Sequence, residues 1–206
     1  IVTLVFQFKS KKYIPGIYWL TVVLISIVGT LITDDLTDNY EVPLEITTAV
    51  FTILLAVTFA VWYKKEKTLS IHAVNTTKRE AYYWIAILFT FSLGTAAGDL
   101  LSESMEFGYL VSIAIFSMLI AAVAIGRFGF KIHTVAAFWI AYVLTRPLGA
   151  SIGDYLSQDL ESGGLELGAE ITSIIFLATI LAIVVYLYVT KKDVIENNEI
   201  SDIPMN

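Results

Sequence analysis

Three aspartates recur at one position of a repeated pattern, and carboxylates in fixed register suit this chain to cation chemistry. Asp34, Asp99 and Asp154 each lie fifteen residues after a tryptophan (Trp19, Trp84, Trp139) and five after a glycine (Gly29, Gly94, Gly149). A hydroxyl follows three residues on, at Thr37, Ser102 and Ser157, so the pattern W-x9-G-x4-D-x2-[ST] occurs three times without a gap. Hard cations prefer oxygen ligands, and carboxylates with hydroxyls and backbone carbonyls supply them. Asp34, Asp99 and Asp154 are therefore the expected metal ligands, with Ser102 and Ser157 beside them on a substrate pathway. The structural alternative is a polar stop whose side chain caps the following turn. A helix boundary needs only some polar residue, whereas the same residue at the same spacing in three copies points to shared chemistry.

Arg146 is the second unusual group. It lies fifteen residues after Lys131, about 22 Å along a straight helix, which places it inside the membrane. A charge there costs about 2.5–3.5 kcal/mol on insertion scales and usually faces the protein interior beside a partner. The candidate partners are Asp99, Asp154 and Glu170. Arg146 reads either as half of a structural ion pair, or as an anion contact or counter-charge on the substrate pathway with Glu170. Pro147 follows it and can loosen the helix.

Other chemistries are excluded or unsupported. The chain has no cysteine, which removes disulfides, thiolate metal sites and Cys nucleophiles together. It has no H-E-x-x-H helix, glycine-rich phosphate loop or nucleophile–base pair, so it is not expected to be an enzyme. His72 and His133 fall at the opposite end of the spans from the aspartates. No cofactor is expected apart from a bound metal cation.

The elements that carry these residues follow from composition. At 206 residues, 57% hydrophobic and 16% charged, with mean hydropathy +0.75, the chain departs on both counts from soluble domains, which run about 45–50% apolar and about 25% charged. A bilayer-spanning helix needs about 20 mainly apolar residues. Six stretches reach that size: Ile17–Thr33, Pro43–Tyr63, Ala81–Gly98, Phe107–Gly126, Ile132–Gly153 and Leu167–Val189. Twelve of the 13 basic residues lie before the first stretch, after the sixth, or in the loops following the second and fourth; the three other loops carry none. By the positive-inside rule both termini are expected in the cytoplasm. The outward half then holds 13 of the 19 acidic residues, raising the local concentration of cations at the outer mouth. The apolar segment Ile1–Phe8 is too short to span and is expected to be a short interfacial or docking segment.

A second pattern, E-x5-[ST]-x3-F, opens the even spans at Glu41, Glu106 and Glu166. The glutamates there favour a helix N-terminus, and Thr47, Ser112 and Thr172 with Phe51, Phe116 and Phe176 are expected to pack between helices. The expected fold is an all-α polytopic membrane protein: six transmembrane helices as three same-topology hairpin repeats (13–64, 78–127 and 131–190), pseudo-threefold about the membrane normal. Residues 1–192 are expected to form a single membrane domain and 193–206 a disordered cytoplasmic tail. Glycines four apart, Gly94 with Gly98 and Gly149 with Gly153, are a helix-packing device; the first copy has Thr33 in place of the second glycine. The three tryptophans read as interfacial anchors.

The runs Tyr83-Trp84 through Gly94-Thr95-Ala96-Ala97-Gly98-Asp99 and Phe138-Trp139 through Arg146-Pro147-Leu148-Gly149 resemble the prokaryotic family labelled uncharacterised membrane-anchored protein, over most of residues 13–190. The resemblance implies repeated membrane segments and no particular activity. From the residues themselves, the expected function is a small transporter or channel for a cation, a divalent metal such as manganese being one candidate. The alternatives are a nontransporting membrane scaffold or partner-binding subunit, and a small-anion transporter using Arg146. The expected location is the plasma membrane, the cell inner membrane of a bacterium. The expected partners are the lipid bilayer and a small ion, with a second copy of the chain admitted and nucleic acid not expected.

Overall fold

The computed structural model describes residues 2–9 and 14–190, and every regular element among them is helical. A short α1 (Val2–Lys9) precedes α2 (Pro15–Asp34), α3 (Leu44–Glu66), α4 (Thr77–Asp99), α5 (Tyr109–Gly129), α6 (Thr134–Ser157) and α7 (Gly168–Thr190). α2 to α7 are each long and apolar enough to cross a membrane. Hydrocarbon offers no partners to backbone N–H and C=O groups, so only a structure that satisfies them internally can span it. The chain is a membrane protein of three helical hairpins, and its helices begin and end within a few residues of the stretches read from hydropathy. Lys11, Lys12, Lys191, Lys192 and the expected tail 193–206 lie outside the described residues.

Local sequence explains the helix ends. α4 starts behind Thr76, whose Oγ1 accepts from the Arg79 N–H at 3.3 Å, the usual N-cap arrangement. α3 ends on Lys64 and Lys65, cations that favour a helix C-terminus, and the left-handed Lys67 (φ 57°) closes it by donating its N–H to the Tyr63 carbonyl at 2.9 Å. Arg79 then ties the connection back, with Nε 2.8 Å from Glu66 Oε2 and Nη1 2.9 Å from the Ala73 carbonyl.

The described residues divide into two compact units, 23–172 and 2–22 with 173–190. In the smaller one, Thr21 Oγ1 donates to the Ile17 carbonyl at 2.8 Å and Tyr18 meets Trp19 edge-on. All the chemistry discussed below lies in the larger unit. There α4 packs against α3 and α6, and α5 packs against α6.

The repeat shows itself in how α2, α4 and α6 cross. A Cβ placed on Gly29 would lie 2.7 Å from Phe91 Cβ, and one on Gly94 would collide with Arg146 Cβ. Phe91 and Arg146 occupy the same position of the repeat, three residues before the motif glycine, so the α2–α4 and α4–α6 crossings are the same contact made twice. Four residues on, a Cβ on Gly98 would lie 3.3 Å from Ala150 Cβ and 3.6 Å from the Pro147 carbonyl. The register advances in the same sense on both helices, so α4 and α6 run parallel. At Gly149 nothing lies within 4 Å, so this glycine makes no such contact.

The Thr33 departure has its own use. Thr33 Oγ1 donates to the Ser92 carbonyl at 2.9 Å, and Ser92 Oγ donates to the Gly29 carbonyl at 3.0 Å. Both side chains are fully buried, and Thr30 and Thr95 add a hydroxyl pair at 3.0 Å. Where α4 meets α6 through bare glycine, α2 meets α4 through reciprocal hydroxyl–carbonyl bonds, each worth about 0.6–2 kcal/mol in a membrane.

Two of the three tryptophans are core residues instead of interfacial anchors. Trp84 and Trp139 are 4% and 5% exposed. Trp139 packs against Phe59, Trp62, Tyr83 and Tyr142, and its Nε1 donates to the Leu69 carbonyl at 2.8 Å. Anchoring needs only an amphipathic ring near a helix end, so sequence position alone could not separate the two roles. On α3, α5 and α7 Thr47, Ser112 and Thr172 are buried with Phe51 and Phe116, as packing requires, whereas Phe176 is exposed.

Candidate functional site

The aspartates sit where the regular helix gives way. α2 continues past Asp34 into a π turn, Asp35–Asn39, and α4 continues past Asp99 into Leu100–Ser104. Each turn is closed by an i to i+5 bond, Tyr40 N–H to Asp35 O at 3.2 Å and Met105 N–H to Leu100 O at 2.9 Å. Such turns are rare and frequently mark functional sites. α6 has none; it carries Asp154 in its last turn and stops at Ser157. No hydropathy pattern signals a π turn, so these two went unseen in the sequence.

Neither Asp34 nor Asp99 caps the turn that follows it. The hydroxyls three residues on serve the backbone instead. Thr37 Oγ1 donates to the Thr33 carbonyl at 3.1 Å, and the buried Ser102 Oγ donates to the Gly98 carbonyl at 2.8 Å. Ser157 is half-buried at the end of α6. Asp34, Asp99 and Asp154 are themselves half-buried, and Asp154 and Asp34 both lie within electrostatic range of Asp99, as do Asp38 and Glu103. Among the described residues, however, no three carboxylate or imidazole groups stand close enough to hold one metal ion. The aspartates share a field without sharing a coordination sphere.

Arg146 is placed differently from every partner proposed for it. The one ion pair among the described residues joins Arg79 to Glu66, so none of the described carboxylates lies within 4 Å of Arg146. Its guanidinium carbon lies 4.2 Å from the centre of the Phe91 ring and 4.1 Å from that of Tyr142. Cation–π contacts of this kind contribute about 0.5–2 kcal/mol each, more when desolvated. Nε is buried with no hydrogen-bond partner among the described residues. Glu170 is exposed in the first turn of α7. Pro147, one residue on, has no N–H to give the Val143 carbonyl. On the same helix Ser151 is fully buried, and its hydroxyl also lacks a partner among the described residues.

The second motif holds a feature that residue types alone do not reveal. Glu41, Glu106 and Glu166 all adopt left-handed backbone, with φ of 51°, 58° and 56°. They stand just before α3, α5 and α7 rather than within their first turns. Glutamate has no local preference for that conformation, which costs an L-residue about 1–2 kcal/mol. Nearby, the acidic ends are cross-linked: Ser104 Oγ donates to Glu45 Oε1 at 3.2 Å and Tyr109 OH to Glu103 Oε1 at 3.2 Å.

A family model described as Repeat of Unknown Function (DUF347) matches residues 17–68, 82–132 and 137–193. The chain belongs to that family, and the three matched segments are the three hairpins. No curated protein and no solved structure matches it.

Proposed function

We propose that this protein is a small integral membrane transporter or channel for a cation, with Asp34, Asp99 and Asp154 attracting and binding the ion. One observation carries the reading: three half-buried carboxylates at equivalent positions lie in a shared field, while the described residues give them no basic partner. Ionisable groups within membrane helices are costly and by default mark a substrate or ion path. Packing accounts for Gly29, Gly94 and Gly98 and leaves the aspartates unexplained, which favours transport over a purely scaffolding role.

The spacing of the carboxylates bears on which cation is bound. Three groups that do not converge on one coordination sphere suit a cation that keeps its water, or an organic ammonium, better than a bare divalent ion gripped by all three. Manganese remains a candidate only in hydrated form. By the distribution of Lys and Arg, the acidic end faces out of the cell and both termini lie inside, in the plasma membrane. The test is cation-dependent stabilisation and flux with purified protein in detergent and in liposomes. Wild type responds and Asp99→Asn does not; equal responses would sink the proposal.

A further inference from the structure

Trp84 and Trp139 are buried, so the aromatic rings that membrane helices place at an interface come from other residues. Tyr63, Phe128 and Tyr188 each lie twelve residues after the phenylalanine of the second motif, in the last turns of α3, α5 and α7. They are 56%, 83% and 69% exposed. These helix ends lie opposite the aspartates, and in sequence each is flanked by cations: Lys64 and Lys65, Arg127 and Lys131, Lys191 and Lys192.

The α5–α6 connection develops this pattern furthest. The Gly126 carbonyl accepts from the Phe130 N–H at 3.1 Å and the Ile132 N–H at 3.2 Å, and a Cβ on Gly126 would lie 3.1 Å from Ile132 Cδ1. Lys131 completes the turn in left-handed backbone, with φ 55°. The turn is thus bonded to itself. Phe128 and Phe130, at 83% and 80%, are the most exposed large apolar side chains among the described residues. Residues 107–153 contain no acid, and neither Arg127 nor Lys131 has an ion pair among the described residues. The α3–α4 connection differs, because Arg79 holds Glu66 and the Ala73 carbonyl while Trp139 holds the Leu69 carbonyl. Apolar rings alone accept any lipid. Unpaired cations beside them select a negative headgroup, adding charge attraction to apolar insertion.

We propose that the α5–α6 connection binds an anionic phospholipid, with Phe128 and Phe130 inserted beside the acyl chains and Arg127 and Lys131 on the headgroup phosphate. This is independent of the cation reading of the aspartates. Arginine offers phosphate a fork of N–H donors and lysine a mobile point charge. Each cation close to an anionic surface strengthens binding about fivefold.

The probes are dioleoyl phosphatidylglycerol and dioleoyl phosphatidylcholine, titrated into detergent micelles holding the purified full chain, with inorganic phosphate as a third arm and thermal melts as the readout. At about a hundred times Kd, phosphatidylglycerol should raise Tm by about 5 °C more than phosphatidylcholine does. Salt at about 1 M, where the Debye length is about 3 Å, should remove most of that difference. Lys131→Gln should raise the midpoint of the phosphatidylglycerol titration about fivefold, and Arg127→Gln with Lys131→Gln about 25-fold. Neither should change Tm in phosphatidylcholine; should Arg127→Gln disturb α5, the exposed Lys131→Gln alone carries the test. Phe128→Ala with Phe130→Ala should weaken the phosphatidylglycerol response and leave melting in detergent alone unchanged. Equal stabilisation by the two lipids overturns the proposal. Inorganic phosphate matching phosphatidylglycerol overturns it in favour of a free anion. An excess that survives Arg127→Gln with Lys131→Gln but disappears in Lys64→Gln with Lys65→Gln overturns it in favour of the end of α3.

Discussion

Gly94 abuts the backbone of Arg146, with room for no side chain between them: a Cβ there would lie 3.0 Å from the Arg146 carbonyl carbon and collide with its Cβ. The glycine lets α6 come close enough to α4 for the guanidinium to settle on Phe91, the residue three before Gly94. Packing and charge placement are thus one feature, and a methyl group at Gly94 tests both. Gly94→Ala should destabilise by about 1–3 kcal/mol, as overpacking typically does, and lower the melting temperature in detergent. Gly149→Ala, where nothing lies within 4 Å, should instead be neutral or raise it, because alanine is the better helix former by about 1 kcal/mol.

The α2–α4 crossing depends on hydroxyls. Thr33→Val keeps the shape of the side chain and removes the bond to the Ser92 carbonyl, so a loss of about 0.6–2 kcal/mol is expected. Thr33→Gly, which restores the glycine found in the other two copies, should be worse than Val, because it loses both the bond and the packing. The reverse ranking in thermal melts would mean that close approach, not the hydroxyl, holds this crossing.

Trp139 is expected to behave as a buried core residue. Trp139→Phe keeps most of the aromatic packing and leaves the Leu69 carbonyl without its donor, costing about 1 kcal/mol. Trp139→Ala should cost about 3–5 kcal/mol. An interfacial anchor would show much smaller losses in detergent, so the size of the effect decides between the roles.

Asp34, Asp99 and Asp154 should contribute unequally. Asp99 stands in the field of both other repeat aspartates and of Glu103 and Asp38, so Asp99→Asn should abolish cation-dependent stabilisation while Asp34→Asn weakens it. Titrating wild type and the three single variants with one cation, and comparing midpoints, checks the order.

The sequence made the hairpins legible because lipid imposes a blunt rule of length and apolarity, and the helix limits followed it closely. It also showed which residues recur, and the structure finds Gly94 and Gly98 at a crossing as their spacing of four implied, with Gly29 at the equivalent crossing and Gly149 at none. It did not show where recurrent residues point. Trp139 turned inward because Phe59 and Trp62 on α3 and Tyr83 on α4 build a pocket for it, and no local signal announces that. Arg146 met aromatic faces where a carboxylate was expected, because Phe91 reaches it from α4 through the space Gly94 leaves. The π turns after Asp34 and Asp99 are likewise invisible to any pattern of period 3.6.

The three left-handed glutamates carry a consequence for engineering. Glycine adopts that backbone freely, so Glu41→Gly, Glu106→Gly and Glu166→Gly should each relieve about 1 kcal/mol of strain, yet the chain uses glutamate in all three copies. The three negative charges thus stand on three strained backbone positions. A hardier variant of this protein is therefore within reach of three substitutions, and whether it still shows the cation-dependent stabilisation expected of wild type would show what those charges are for.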